Sequence, residues 1–223
     1  MKNNPVMFAV VKYLVDLVGM ALLLFISAGS LQYASGWGLL IVLAVVGVLY
    51  GMLMYIRYPQ LLKKRLADRE NSLIQIIIMG AALVVFCAAT ILAGVSYRMG
   101  WLTLPRWRYA ISISLAALGG VIYLRVISVN AFLSTAIKTE NNQKVVQSGP
   151  YGVVRHPMYT SVALMMIAIF IWLGSVVSIA TTFLFIPILV MRIADEEKKL
   201  LVELDGYEEY TRKIKYRLIP YVW

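Results

Sequence analysis

The sequence predicts an all-α, polytopic membrane protein with about four transmembrane helices, a C-terminal helical hairpin and a cytoplasmic helical tail. Of the 223 residues, 61% are hydrophobic and only 14% are charged. A soluble domain of this size cannot bury so much apolar surface, so the bilayer must be the solvent for most of the chain. Several apolar stretches also approach the roughly 20 residues that a helix needs to cross a hydrocarbon core about 30 Å thick.

Four apolar stretches predict four membrane-spanning helices, over residues 8–28, 37–56, 73–95 and 109–128. The first of them could be mistaken for a secretion signal, because Lys2 precedes it and small residues follow it. It is longer than the apolar part of such a signal, and further spans follow it, so we expect a helix that is retained.

A fifth apolar region, residues 161–193, is too long for one ordinary span and too short for two full spans with a loop. It contains Gly174-Ser175 near its middle and Pro187 later. A tight helical hairpin and a single kinked helix would each fit. We favour the hairpin, because Gly-Ser suits a turn better than a helix interior.

Basic residues indicate how the chain is oriented in the membrane. The connection after the second span is strongly basic, whereas residues 29–36 after the first span carry no charge. The basic residues after the second span are Arg57, Lys63, Lys64, Arg65 and Arg69. The positive-inside rule therefore predicts cytoplasmic N- and C-termini, with Lys138 also on that side. The net charge of +10 is thus explained by the membrane, and we expect no nucleic-acid partner. Three basic residues would lie on the outer side in this orientation, which is a minor exception to the positive-inside rule: Arg98, Arg106 and Arg108.

Charge and loop signals divide the chain into two units. Residues 1–136 hold the four spans and the basic loop 57–72, where "RYPQLLKKR" predicts a short surface helix. Residues 137–223 hold a polar loop, the hairpin and the tail. Seven of the eleven acidic residues lie in the last 29 positions, around leucines at helical spacing. Asp205-Gly206 then predicts a helix stop before a second short helix over 207–216.

The chain has one cysteine, Cys87, and one histidine, His156. An intramolecular disulfide is therefore impossible, and we expect no metal site of the His/Cys zinc type. Gly47 and Gly51 in the second span have the small-xxx-small spacing of close helix packing. Such a pair can pack helices within one chain as easily as between two chains, so the sequence does not determine the oligomeric state.

Polar and aromatic residues converge at the two ends of the predicted hairpin. Before it come Tyr151, Arg155, His156 and Tyr159, and after it Arg192, Glu196 and Glu197 follow. If the hairpin closes, both ends meet at one membrane surface. Arg155, His156 and Tyr159 would then face Arg192 and Glu196, which are four residues apart and share a helical face. This pattern predicts a polar ligand pocket at the membrane surface.

These segments resemble the isoprenylcysteine carboxyl methyltransferase superfamily of integral membrane methyltransferases, which includes phospholipid methyltransferases. The resemblance covers about residues 130–220 and rests on "KVVQSGPYGVVRHPMY", Arg192 with Glu196-Glu197, and "GYEEYTRKIKYRLIP". The chain departs from the pattern at Gln60, at Gly152 and at Thr160-Ser161, where glutamate, arginine and glycine are common. These departures lie at the edge of the pocket and concern the substrate more than the cofactor.

The resemblance implies that S-adenosylmethionine is the cofactor and that it binds between the Arg-His-Pro-x-Tyr segment and the Glu-Glu helix. The implied cofactor-binding residues are Lys144, Val145, Val146, Tyr151, Arg155, His156, Pro157, Tyr159 and Glu196. Aromatic faces attract the sulfonium charge, and carboxylates accept hydrogen bonds from the amino group and ribose. Arg192 and Glu197 are the implied catalytic residues: Arg192 would hold an acceptor carboxylate, and Glu197 or His156 would serve as base for an amine.

The acceptor is expected to be a lipid-like or prenylated amphiphile that enters laterally from the membrane lipids. A carboxylate head group is the first candidate, because it is already ionised at neutral pH and needs only positioning and desolvation. A phospholipid amine is the nearest alternative. A sterol-type reductase that uses NADPH and a non-catalytic membrane protein are the more distant ones.

Overall fold

A computed structural model describes residues 5–67, 70, 72–130, 132 and 143–223. Within these ranges the chain is helical and forms no strand, which confirms the all-α class. The α-helices are α1 (Pro5–Ala28), α2 (Ala34–Arg57), α3 (Pro59–Ala67), α4 (Leu73–Met99), α5 (Arg108–Val129), α6 (Pro157–Leu173), α7 (Val176–Thr182), α8 (Phe185–Glu203) and α9 (Tyr207–Lys213). A 3₁₀ turn, Gly149–Gly152, precedes α6. Arg69, Lys138 and the proposed boundary after residue 136 lie outside the described residues.

The four predicted spans are confirmed as α1, α2, α4 and α5, with ends that differ from the prediction by at most four residues. Each is long and apolar enough to cross a membrane, as is the combined stretch of α7 and α8. Outward-facing residues of α2 such as Val45 and Leu49 are more than half exposed, at 53% and 60%. Such an apolar outer surface fits lipid as the solvent, so the protein is an integral membrane protein.

The predicted hairpin is also confirmed. Helix α6 ends at Gly174, whose φ of 79° lies in the left-handed region that favours glycine. The Ser175 hydroxyl then caps α7 by accepting a hydrogen bond from the Ser178 amide. Pro187 does not kink the return helix, because it lies in the first turn of α8, where no intrahelical N–H bond is lost.

Small residues bring the helices of the bundle close together. A Cβ atom at Gly119 of α5 would lie 2.9 Å from the Ser161 carbonyl oxygen of α6. A Cβ atom at Gly47 would overlap the Tyr13 ring of α1, whereas Gly51 faces open space. Gly47 therefore packs helices within this chain, and the two glycines of the predicted pair have different surroundings.

The connections gather at two opposite ends of the bundle. We call the end formed by residues 29–33, 100–107 and 174–175 the turn end, and the end formed by 58–67, 143–157 and 204–223 the tail end. Helix α3 lies at the tail end, as predicted for a surface helix, and buries Leu61 against Met54, Val126 and Ile127.

The acidic tail forms two helices separated by Gly206, which has a φ of 81°. The second, α9, stops at Lys213, so the predicted extent to residue 216 is wrong by three residues. The chain instead becomes extended, because the carbonyl oxygens of Tyr216 and Arg217 accept hydrogen bonds from the amides of Arg155 and His156. We call residues 214–218 the strap.

Candidate active site

Two neighbouring clusters of polar side chains occupy the tail end, where α4, α6 and α8 meet the strap. Both are built on α8, whose acidic residues Asp195, Glu196 and Glu197 follow one another. Successive residues of a helix are about 100° apart, so the three carboxylates point in different directions. Each therefore meets a different set of partners.

The first cluster, which we call the Glu197 clamp, surrounds a carboxylate that is only 7% exposed. Arg155 Nε and His156 Nε2 lie 2.8 and 3.1 Å from Oε1 of Glu197, and Arg217 Nε donates to Oε2 at 2.8 Å. Arg155 also reaches the carbonyl oxygens of Thr211 and Ile214. The clamp thus ties the segment before α6, the end of α8 and the strap together by one ion pair from Arg155 and by hydrogen bonds from His156 and Arg217.

Backbone contacts hold two of these segments, the start of α6 and the strap, in register. Besides the two amide bonds to the strap, the Thr160 hydroxyl donates to the Leu218 carbonyl oxygen at 2.8 Å. Pro157 is the first residue of α6, where its fixed φ suits a helix start and its missing N–H is not needed. The Arg-His-Pro sequence therefore places two cationic or polar side chains just before a helix that begins at a fixed point.

The second cluster, the Tyr159 network, links α4, α6 and α8. The Tyr159 hydroxyl donates to Oε2 of Glu196 at 2.6 Å and accepts from Arg192 Nε at 2.9 Å. Arg192 Nη1 donates to Oε1 of Gln75 at 2.8 Å, and the Gln75 amide donates in turn to the carboxylate of Asp195. Gln75 has no exposed surface. One phenol thus holds a guanidinium and a carboxylate at a fixed separation.

Further phenols lie close to Glu196. Burial raises the pKa of Tyr151 to about 12, and the charge of Glu196 adds to this effect. Burial likewise raises the pKa of Tyr207, with the charges of Glu197 and Glu196 as the next causes. Both phenols stay protonated at neutral pH. The Tyr207 hydroxyl is buried, and within the described part of the chain it has no hydrogen-bond partner.

The expected meeting of the two hairpin ends occurs, but with a different division of partners. Tyr159 faces Arg192 and Glu196, as the sequence predicts. Arg155 and His156 do not face them, because they contact Glu197 on the adjacent side of α8. The rotation of α8 decides this division, and residue spacing alone does not determine it.

The remaining candidate residues lie along the approach to α6. Lys144 is exposed, and Val146 is half-buried. The Val145 side chain packs against the cluster of Leu204, Tyr207 and Tyr210. Tyr151 is fixed through both ends, since its hydroxyl accepts from Asn130 at 2.8 Å and its carbonyl oxygen accepts from Tyr210 at 2.7 Å.

Four residues of these clusters were not among the sequence-based candidates: Gln75, Asp195, Tyr207 and Arg217. The sequence could have indicated Gln75, because a single amide side chain within an apolar span is energetically costly unless it has a specific partner. Tyr207 and Arg217 fall in the quoted tail motif, but nothing in their spacing assigns them a contact.

A comparison with protein-family models finds that residues 107–207 match the phospholipid methyltransferase family. The match covers a little under half of the chain and includes the segment before α6 as well as Arg192, Glu196 and Glu197. That family belongs to the same superfamily of integral membrane methyltransferases that the motifs resemble. The protein is therefore an S-adenosylmethionine-dependent methyltransferase of the membrane.

Proposed function

We propose that this methyltransferase transfers a methyl group to the amine head group of a phospholipid. The observation that carries the proposal is the Tyr159 network, which connects two acidic positions through Arg192. Glu196 faces α6 and the phenols, whereas Asp195 faces α4 through Gln75. The arrangement supplies one acidic site, at Glu196, for a cationic methyl donor and another, at Asp195, for a cationic acceptor. We call these the donor side and the acceptor side.

The donor side fits the chemistry of S-adenosylmethionine, which supplies an electrophilic methyl group on a positively charged sulfonium. Among the described residues, Tyr159 is the only hydrogen-bond partner of the Glu196 carboxylate, so Glu196 retains capacity to accept from a ligand amino group or ribose. The faces of Tyr151 and Tyr159 can attract the sulfonium. The unpartnered Tyr207 hydroxyl is a donor for the carboxylate of the same ligand.

The acceptor side lies between α4 and α8, where the outer surface is apolar. Ile74 and Met191, which flank Gln75 and Arg192 in sequence, are 58% and 57% exposed. A lipid can therefore approach this side from the bilayer without crossing water. Asp195 and Arg192 would meet its head group, and the buried Gln75 would hold both of them in place.

An ammonium head group must lose a proton before its nitrogen can form the new bond to carbon. Glu197, the sequence-based candidate for the base, is a poor one, because Arg155, His156 and Arg217 all stabilise its ionised form. His156 is a poor base as well, because its Nε2 is hydrogen-bonded to Glu197 in the same clamp. We assign the base to Asp195, whose hydrogen-bond partner among the described residues is the neutral Gln75 amide, and we assign Glu197 a structural role.

Arg65 supports a phospholipid acceptor in particular. Its guanidinium is half-buried at the tail end and donates to the hydroxyls of Tyr50 and Tyr123 at 3.2 and 2.7 Å. Within the described residues it has no carboxylate partner. Tyr50 and Tyr123 pack on the same apolar cluster as Tyr151 and Met158, beside the donor side. A lipid phosphate is the anion that this cation would pair with.

A lipid carboxylate is the second candidate acceptor, and Arg192 favours it. A guanidinium pairs with a carboxylate through two parallel hydrogen bonds, and its planar geometry would hold the acceptor oxygen in line for transfer. In that case no base is needed, and Asp195 would serve only to position Gln75.

The test measures transfer of a labelled methyl group by the purified protein in nanodiscs. One set contains phosphatidylethanolamine, and a second contains a prenylated cysteine with a free carboxylate. Transfer to the amine alone supports the proposal, and transfer to the carboxylate alone replaces it with the second candidate. Failure to bind S-adenosylmethionine would refute both.

A matched pair of variants on α3 sharpens the distinction between the two acceptors. We expect Arg65→Gln to raise the KM for phosphatidylethanolamine about tenfold, because a charge-assisted hydrogen bond contributes roughly 1.5 kcal/mol. Lys63→Gln, on the exposed side of the same helix, is the control and should leave the KM unchanged. An equal effect of both substitutions would exclude a specific phosphate contact.

A further inference from the structure

A second polar cavity lies at the turn end of the bundle, on the opposite side of the membrane from the candidate active site. It has a volume of about 220 Å³, which is smaller than most pockets for drug-sized ligands and suits a head group. Its polar lining includes hydroxyl groups from three separate connections, together with one guanidinium. The residues that matter are Tyr33, Ser35, Ser96, Thr103, Arg108 and Ser175.

Arg108 has only neutral partners in this cavity. Its Nη2 donates to Ser35 Oγ and to the Tyr109 hydroxyl at 3.0 and 3.1 Å, and its Nη1 donates to the Leu104 carbonyl oxygen. Its Nε is buried and has no hydrogen-bond partner within the described residues. Because a guanidinium remains charged under all ordinary conditions, this arrangement leaves a positive charge and a donor without an anion.

The charge distribution of the whole turn end agrees with this. Residues 29–35, 96–108 and 173–176 contain no Asp or Glu, but they include Arg98 and Arg106 as well as Arg108. Arg98 lies beside Gly29, where a Cβ atom would come within 3.4 Å of its side chain. The turn end therefore has a net positive charge that nothing in these segments compensates.

The local backbone is shaped around the guanidinium. A Cβ atom at Gly174 would overlap Arg108 Nη1, so only glycine allows this approach. The Leu104 amide donates to the Gly174 carbonyl oxygen at 2.9 Å, and Thr103 and Ser175 form an antiparallel bridge. These bonds fix the hairpin turn against the α4–α5 connection, so the cavity is rigid on two sides.

An apolar groove adjoins the cavity along α1. It has a volume of about 450 Å³ and is lined by Val18, Leu22, Phe25 and Ile26, ending at residues 29–31. The next residues in the chain, Gln32 and Tyr33, line the cavity. A groove of this kind suits an acyl chain, and its position suggests how a lipid with its head group in the cavity would lie.

We propose that the turn-end cavity binds a phosphate group, with Arg108 as its principal ligand, and that the phosphate belongs to an anionic lipid whose acyl chain follows the α1 groove. The Arg108 guanidinium supplies the positive charge, and the hydroxyls of the lining donate to the phosphate oxygens. This site is separate from methyl transfer, so Tyr159→Phe should not affect it.

The test compares the apparent Tm of the full chain in nanodiscs of three compositions. These are phosphatidylcholine alone, phosphatidylcholine with phosphatidylglycerol, and phosphatidylcholine with added inorganic phosphate. We expect a saturable rise in Tm with phosphatidylglycerol, its loss in Arg108→Gln, and its retention in the control Arg106→Gln, which removes an exposed charge at the same end.

A rise with phosphatidylglycerol alone supports a lipid source, and an Arg108-dependent rise with inorganic phosphate alone supports the phosphate site but replaces the lipid with a free anion. No rise with either probe, or an equal loss in both variants, overturns the proposal. If Arg108→Gln does not fold, Arg108→Lys replaces it, with retained phosphatidylglycerol counted by native mass spectrometry. Fewer retained molecules than in the wild type support the site, and equal numbers overturn it.

Discussion

Glu196 and Glu197 are neighbours in sequence, yet their surroundings differ completely. Glu197 is buried and contacts three side chains that can carry positive charge, on two different segments. Glu196 is partly exposed and receives one hydrogen bond from a neutral phenol among the described residues. The Glu197 carboxylate is fully engaged in contacts that stabilise the fold, whereas the Glu196 carboxylate can still accept hydrogen bonds from a ligand.

This difference separates stability from binding within one turn of α8. A buried charge with several partners contributes mainly by preventing those partners from being buried alone. A partly exposed carboxylate with unused acceptor capacity contributes little to the fold and can accept hydrogen bonds from a ligand. The four predictions that follow test this separation, in order of decreasing effect.

The largest effect should come from Glu197→Gln. The substitution leaves Arg155, His156 and Arg217 around a neutral amide, and breaking a buried ion pair from one side costs about 3–5 kcal/mol. We expect a large fall in the unfolding midpoint in detergent. Glu196→Gln is the matched control and should change the midpoint little; equal falls in both variants would remove the distinction.

Arg192→Gln should have the second-largest effect, and this effect is on the rate of methyl transfer. It keeps one hydrogen-bonding amide but removes the charge between the two acidic positions. We expect methyl transfer to fall about a hundredfold, which corresponds to roughly 2.7 kcal/mol of transition-state stabilisation. The Kd for S-adenosylmethionine should stay nearly unchanged. A rise in that Kd as large as the loss of rate would place Arg192 on the donor side instead.

Tyr159→Phe removes only the hydroxyl that bridges Arg192 and Glu196. We expect kcat/KM to fall about tenfold, since hydrogen bonds to charged groups contribute roughly 1.5 kcal/mol or more. Ser161→Ala, which removes a hydroxyl that bonds only its own helix backbone, provides the comparison. Similar kinetics in the two variants would mean that the bridge has no role in catalysis.

Tyr207→Phe should have the smallest effect. Because its hydroxyl has no partner in the described residues, its removal should leave stability unchanged or slightly higher. The Kd for S-adenosylmethionine should rise several-fold if the hydroxyl binds the donor. Tyr210→Phe is the contrasting variant, since it breaks a hydrogen bond to the Tyr151 carbonyl and should lower stability. An unchanged Kd in Tyr207→Phe would exclude its proposed contact.

The spans and the hairpin were predictable because the bilayer dictates helix length and Gly174-Ser175 supplies a turn. Tyr159 and its partners were predictable too, since both ends of a closed hairpin lie at one surface. The division of Arg155 and His156 toward Glu197 was not, because it depends on how α8 rotates against α6. Gln75 and Arg217 reach the site from α4 and the strap, and such long-range pairings leave no periodic signal.

The orientation in the membrane also stays a prediction from charge. Both termini of the described chain are expected on the cytoplasmic side, with the basic residues of α3. A reporter fused after Trp223 should be active in the cytoplasm, and activity only on the far side would reverse the assignment of the two ends.

The most direct test of the central claim is the Kd for S-adenosylmethionine of Glu196→Gln, measured together with its unfolding midpoint. If Glu196 binds the methyl donor and Glu197 holds the fold, the Kd should rise at least about tenfold while the midpoint stays near that of the wild type. An unchanged Kd, or a rise that is matched by a large fall in the midpoint, would contradict the account.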